Sequence, residues 1–419
     1  MLRIYRKGLT QLVLLAVLLY ALSIGIFGLA LSPIMESLSF VPRVVSVLLV
    51  NATWLLIVFS TRVLKINEAV FCIVYFSMIM YILVLNIFRG YGLVGFLNHW
   101  TMYLGYFPLI FLISYIYRAS SKQQFIRFID INFIFICLML LGVTFDGLIN
   151  LNDLVGLGGF NRIDHDSLRR ANFLLASPTA IFIMTGVGLV LVGFRGYGSY
   201  VSVAYLALSS LAVLATYSRF PLILYALSVI GYLFSRIYLI SAVGKYAIVS
   251  LFIVSSMLFL YVSEGVILFV AASGFSKMLE VFSANDLGNS VRFHAYAASL
   301  NYIFNFPDAI FGYGVGAASI NLNNVTGGLY LGHFESSFLS MVLEVGWLFS
   351  VIIMLILFYS LVKAFRCSFF FGFVLLLMCI NIALVPIFNG YQVPYLFALI
   401  LAIINCAGQD LEHQELGGR

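Results

Sequence analysis

Apolar residues in this chain come in continuous runs of about twenty, divided by short polar punctuation, and they do not alternate with the two-residue period of a strand. Runs of this kind predict transmembrane helices. They fall at roughly 9–31, 44–60, 69–88, 97–117, 125–145, 173–194, 200–217, 220–235, 246–270, 336–362, 368–387 and 391–407, which makes twelve spans. The expected fold is an all-α polytopic membrane protein, one integral membrane domain over 1–419. The first run follows Arg3, Arg6 and Lys7 as a secretory signal would, but it is too long and lacks a clear small-residue cleavage site, so it is kept as a span.

Composition agrees with the pattern. With 63% hydrophobic residues, 9% charged residues and a mean hydropathy of +1.10, a water-soluble globule is excluded, and the unbroken runs exclude an outer-membrane barrel. The net charge of +6 is spread singly between spans rather than gathered on a face, so it reads as a topology signal and nucleic acid is not an expected partner. With the N-terminus inside, fourteen of the 22 basic residues are cytoplasmic, as are both termini, while Arg43, Arg89, Arg162, Arg169, Arg170, Arg219, Lys277 and Arg292 face outwards. The five cysteines lie in or at the edges of apolar runs, so no disulfide framework is implied.

The two substantial loops, about 146–172 and about 271–335, both fall on the outer face, which places the chemistry there. The first carries Arg162, Asp164, His165, Asp166, Arg169 and Arg170. In the second, Phe293, Tyr296, Leu300, Ile303 and Phe304 recur at helical spacing until Pro307, as expected for a helix lying in the membrane interface with Arg292 near its start.

Several residues carry candidate chemistry. Arg219, in Tyr217-Ser-Arg-Phe-Pro221, joins two spans with almost no loop; a snorkelling topology residue is the bland reading, and a bidentate anion clamp the sharp one. His333 precedes Ser336 and Ser337, candidate N-caps of the tenth span, where the positive helix end favours a neutral base. Glu335 is two residues away. Glu344 stands three turns further on nearly the same face, inside a span, where a carboxyl needs a partner or a water-filled cavity. His294 is the rival base. His99, beside Trp100 and Tyr103, reads as an interfacial belt residue. Phe311-Gly-Tyr-Gly-Val-Gly316 is either an ordinary turn or a loop that presents the amides of Gly312 and Gly314 to an anion. No acids or histidines have metal-ligand spacing, so metal-independent chemistry without a cofactor is expected.

Taken together, the outer Ser218-Arg219 turn, the late outer loop with Arg292, Phe311-Gly-Tyr-Gly314, and His333 followed by Glu344-Val-Gly346 resemble the bacterial O-antigen polymerase and ligase superfamily. Arg170 and Gly186 also match an arginine, fifteen residues, glycine spacing described for polymerases, whereas Arg292 has Asp308 at that spacing. Phe334 follows His333 where ligases favour Asn, which tilts the resemblance to polymerase. The resemblance implies a fold like the C-type membrane glycosyltransferases and an inner-membrane enzyme with a periplasmic site. It implies a glycan donor on undecaprenyl pyrophosphate. Catalysis would be inverting and metal-independent: Arg219 and Arg292 hold the departing pyrophosphate, and His333 takes the acceptor proton. Arg162, Arg169, Arg170, Gly312, Gly314 and Glu335 would bind substrate, with Glu344 behind them. Membrane lipids and a chain-length regulator protein are the further partners it suggests. An O-antigen ligase acting on lipid A core is the alternative, and a polysaccharide flippase the more distant one.

Overall fold

The computed structural model describes residues 11, 13, 17, 41–60, 66–149, 180–216, 218–237, 310–314, 337–384 and 395–406. Among these, the chain is helical with short turns and has no strand. Three helices are long and apolar enough to cross a membrane, spanning Val70–Phe88, Lys122–Gly147 and Phe338–Cys367, and seven shorter apolar helices accompany them. The expected run at 246–270, and nearly all of that at 9–31, lies outside the described residues.

In chain order the elements are α1 (Val41–Ser60), α2 (Ile66–Phe88), α3 (Gly92–His99), a π-helical turn (Trp100–Leu104), α4 (Phe107–Ala119), α5 (Lys122–Ile149), α6 (Ile181–Arg195), α7 (Ser199–Ala215), α8 (Arg219–Ile237), α9 (Ser337–Cys367), α10 (Phe369–Leu384) and α11 (Tyr395–Cys406). Local signals explain several boundaries. Ser121 and Gln124 form a reciprocal capping box before α5: Gln124 N–H donates to Ser121 Oγ (3.3 Å) and Ser121 N–H to Gln124 Oε1 (3.1 Å). α6 stops at Gly196, left-handed at φ 66°, whose N–H closes on Val192 O.

Two boundaries differ from expectation. The run at 97–117 is not one helix: Gly105 N–H bonds to Trp100 O, five residues back, and α4 starts afresh at Phe107 with Pro108 in its first turn. Asp146, expected to open the first outer loop, is instead buried inside α5.

α6 is the hub. It is apolar all round, Ile181 to Val192 are all buried, and it packs against α5, α7, α8 and α10. Tyr205 of α7 crosses it, donating to Thr185 O at 2.8 Å. At the periphery the apolar side chains turn outwards instead: Phe59 is 80% exposed, Ile73 67%, Phe88 86% and Phe358 64%. Apolar surface on that scale is tolerable against lipid and not against water.

Helices joined by tight turns alternate in direction, so the bundle has two ends. One end carries the finish of α2, the start of α6 and of α8, the start of α9 and the finish of α10. The opposite end is braced by Asp130 of α5, whose Oδ1 accepts from Tyr197 hydroxyl (2.5 Å) and lies 3.3 Å from Arg195 Nε. Burial, then the bond to Asp130, pushes the Tyr197 phenol well above its ordinary pKa.

Candidate functional site

α9 is broken at Gly346. Its φ of 84° and ψ of 167° lie in a region that only glycine enters at low cost, so the helix divides into a short piece before Gly346 and a long one from Trp347 to Cys367. The long piece has 21 residues and at 1.5 Å each measures about 31 Å. The break therefore lies nearer the start of α9 than its finish.

The turn Ile310–Gly314 fills the gap. Tyr313 N–H donates to Leu343 O (2.8 Å) and Gly314 N–H to Glu344 O (2.9 Å), so carbonyls freed by the break are satisfied from outside the helix. Tyr81 of α2 completes the clasp, donating to Phe311 O at 2.6 Å and reaching Val345 O at 3.2 Å. Arg89, just past α2, donates from Nη2 to Gly312 O at 3.0 Å and lies 5.6 Å from the centre of the Tyr313 ring. The approach is so close that a Cβ on Gly312 would stand 2.6 Å from Glu344 O, and one on Gly346 would stand 2.4 Å from Ile310 O.

Beneath the turn lies a buried polar chain. Glu344 Oε2 accepts from Tyr103 hydroxyl at 2.9 Å and lies 3.3 Å from His99 Nε2, with His99 wholly buried. Asn86 fixes the ring: its Nδ2 donates to Ile82 O (2.8 Å) and is 3.1 Å from His99 Nδ1, so Nδ1 accepts and the ring N–H falls on Nε2, facing the carboxylate. The Nε2–Oε2 approach is electrostatic and not an aligned hydrogen bond. The π-helical turn aims His99 and Tyr103 inwards. Its own register is held by Asn51, which donates to Gly105 O (3.2 Å) and accepts from Tyr75 hydroxyl (2.5 Å), while Trp100 Nε1 donates to Tyr75 (3.2 Å).

Of the residues singled out from sequence, Gly312, Gly314 and Glu344 are brought together. Glu344 has the partner that a carboxyl in a span demands. The Gly314 amide is bound to α9 and not turned towards an anion, and His99 is an interior partner of Glu344, not a belt residue. Arg219 opens α8 at the same end of the bundle. His333, Arg292, Arg162, Arg169, Arg170 and Glu335 lie outside the described residues. Asn86, Arg89 and Tyr103 were not singled out; the only sequence signal was that Arg89 and the Gly312–Gly314 turn fall on the same predicted side.

The arrangement is a rigid acid–imidazole pair under a glycine turn, with a guanidinium at its rim, at one end of an apolar helical bundle. The fold defines a helical membrane protein, with this buried polar cluster at one end of the bundle. The chain matches no family model, and no curated protein matches it.

Proposed function

We propose that this chain is an O-antigen or similar surface-polysaccharide polymerase, joining undecaprenyl-pyrophosphate-linked repeat units at the periplasmic face of the bacterial inner membrane. The acceptor hydroxyl attacks the anomeric carbon of the donor sugar, the bond from that carbon to the diphosphate oxygen breaks with inversion, His333 takes the hydroxyl proton, and the lipid diphosphate leaves between Arg219 and Arg292. Arg162, Arg169, Arg170 and Glu335 position the sugars. Glu344, held by Tyr103 and His99, anchors the segment that leads back to His333 eleven residues earlier.

The observation that supports this reading is the docking of the Gly312–Gly314 turn onto the break at Gly346 beside Glu344. Two motifs chosen because they resemble one superfamily, thirty residues apart in sequence, meet there at the end of the bundle where Arg219 opens α8. Deleting the gene and separating the lipopolysaccharide by electrophoresis tests it. Core bearing a single repeat is expected. Bare core with accumulated lipid-linked polymer identifies a ligase instead.

A broken helix with a buried carboxyl is also a feature of transporters, and it favours a flippase as the second reading. The place of the break, towards the start of α9, weighs against it, because the broken helices of transporters are interrupted near the midplane. Loss of lipid-linked repeat translocation in the deletion strain would establish that reading over the polymerase.

A further inference from the structure

Asn381, in the last turn of α10, is fully buried, and neither its Nδ2 nor its Oδ1 has a hydrogen-bond partner among the described residues. Buried amides are almost always paired, because an amide stripped of water and given nothing in return opposes folding. The helix register shows what this one faces. α6 and α10 run antiparallel: Gly193 lies against Phe370 and Phe371, and Gly186 against Val374 and Met378, close enough that a Cβ on Gly186 would stand 2.6 Å from Met378 Cε. Asn381 shares the face of Val374 and Met378, at i+7 and i+3. Continuing the register by about five residues, or about 7.5 Å, sets it opposite the first turn of α6.

That turn is itself unusual. Ala180, Ile181 and Phe182 are buried, and Ala180 at the N-cap provides no capping side chain. α8 runs parallel to α6, being separated from it by two tight turns, and Gly231 packs on Phe373 of α10. Counting back along α8 from that contact brings its first residue, Arg219, to the level of the α10 end. α6, α8 and α10 pack against one another, so two helix N-termini and one unpaired amide gather at a single end of this trio. Helix N-termini favour negative charge, and their free N–H groups are donors for anionic oxygens.

We infer that Asn381 is a ligand-binding residue at this end of the trio, its Nδ2 donating to a phosphate oxygen of the lipid-linked glycan and its Oδ1 accepting from a sugar hydroxyl. The assignment deepens the lipid-diphosphate reading given above and rests on it. A glycosyl diphosphate supplies both the acceptor and the donor that the amide lacks, whereas an apolar prenyl tail supplies neither.

The test uses the full chain in phosphatidylcholine nanodiscs, titrated with geranylgeranyl diphosphate, inorganic pyrophosphate or geranylgeraniol, comparing wild type with Asn381→Leu. The expected result is binding of geranylgeranyl diphosphate that is weakened about tenfold by Asn381→Leu, the size of one hydrogen bond to a charged group, with no such change for geranylgeraniol. Without ligand the variant is expected to melt at the same temperature or higher, since an unpaired amide holds nothing together. Equal affinity of both proteins for the diphosphate overturns the role of Asn381 while leaving the function untouched, and a lower melting point with equal affinity shows an amide serving the fold through water. Pyrophosphate binding as tightly as the prenyl diphosphate overturns the lipid-linked assignment. No binding by wild type overturns both readings. Binding without glycan transfer keeps the site and removes the polymerase.

Discussion

Replacing Gly346 by Ala probes the device on which the site is built. At φ 84° and ψ 167° an alanine pays about 1–3 kcal/mol of backbone strain. Its Cβ would also stand 2.4 Å from Ile310 O, 2.6 Å from Phe311 C and 2.7 Å from Gly312 N, all backbone atoms with no rotamer to escape into. The relief available is undocking of the turn, which forfeits the Tyr313 N–H to Leu343 O and Gly314 N–H to Glu344 O bonds at about 1 kcal/mol each. Those bonds oppose opening in wild type and variant alike, so the difference between the two is the strain, about 1–3 kcal/mol against the docked state, with the clash adding to it. At 1.4 kcal/mol per tenfold the strain alone raises the open population by about one to two powers of ten. Alanine is also the best helix former, so the released α9 gains by closing into one continuous helix. Hydrogen exchange read by mass spectrometry on protein in nanodiscs measures this directly, as lost protection of the Tyr313 and Gly314 amides. Gly196→Ala is the control: its φ is also positive, at 66°, but a Cβ there meets nothing within 4 Å. It is expected to cost about 1 kcal/mol and leave those two amides unchanged. Unaltered protection in Gly346→Ala would refute the reasoning.

Other outcomes follow from the same geometry. His99→Ala removes a fully buried ring beside a carboxylate and is expected to destabilise by about 3–5 kcal/mol, whereas Tyr103→Phe, which deletes one hydrogen bond, costs about 1 kcal/mol; denaturation in detergent ranks them, and equal effects would contradict the buried pair. Arg292→Lys is expected to recover only part of the polymerisation lost in Arg292→Ala, because a point charge replaces a two-pronged donor, as modal glycan length on a gel would show. Because folding raises the Tyr197 pKa above its unfolded value, the stabilisation is complete below the unfolded pKa of about 10 and disappears as pH climbs through the higher folded value. Melting temperature should therefore fall in alkali, and less steeply in Tyr197→Phe.

What sequence disclosed was whatever depends on neighbours along the chain. The apolar runs located α2, α5, α8 and α9 to within a few residues, since each helix repeats its signal over many positions. A single π-helical turn carries no such repetition, so the interruption at Trp100–Leu104 was read straight through. Glu344 announced its need for a partner because a carboxyl in lipid is costly at any position, yet the partners lie about 240 residues back and nothing local points to them. His99 misled for a related reason: Trp100 and Tyr103 suit an interfacial belt, and the same amphipathic rings suit a buried hydrogen-bonded chain. Gly346 was legible only as part of a motif. Its broken backbone is a property of what docks against it.

The most direct measurement reconstitutes the purified chain with undecaprenyl-pyrophosphate-linked repeat units and follows both products by mass spectrometry. Longer lipid-linked glycans should accumulate, with one undecaprenyl pyrophosphate released per bond formed, and neither should appear with His333→Ala or with Gly346→Ala. Chain extension that continues unimpaired in both variants, or lipid-linked repeats that merely cross the bilayer without lengthening, would contradict the account.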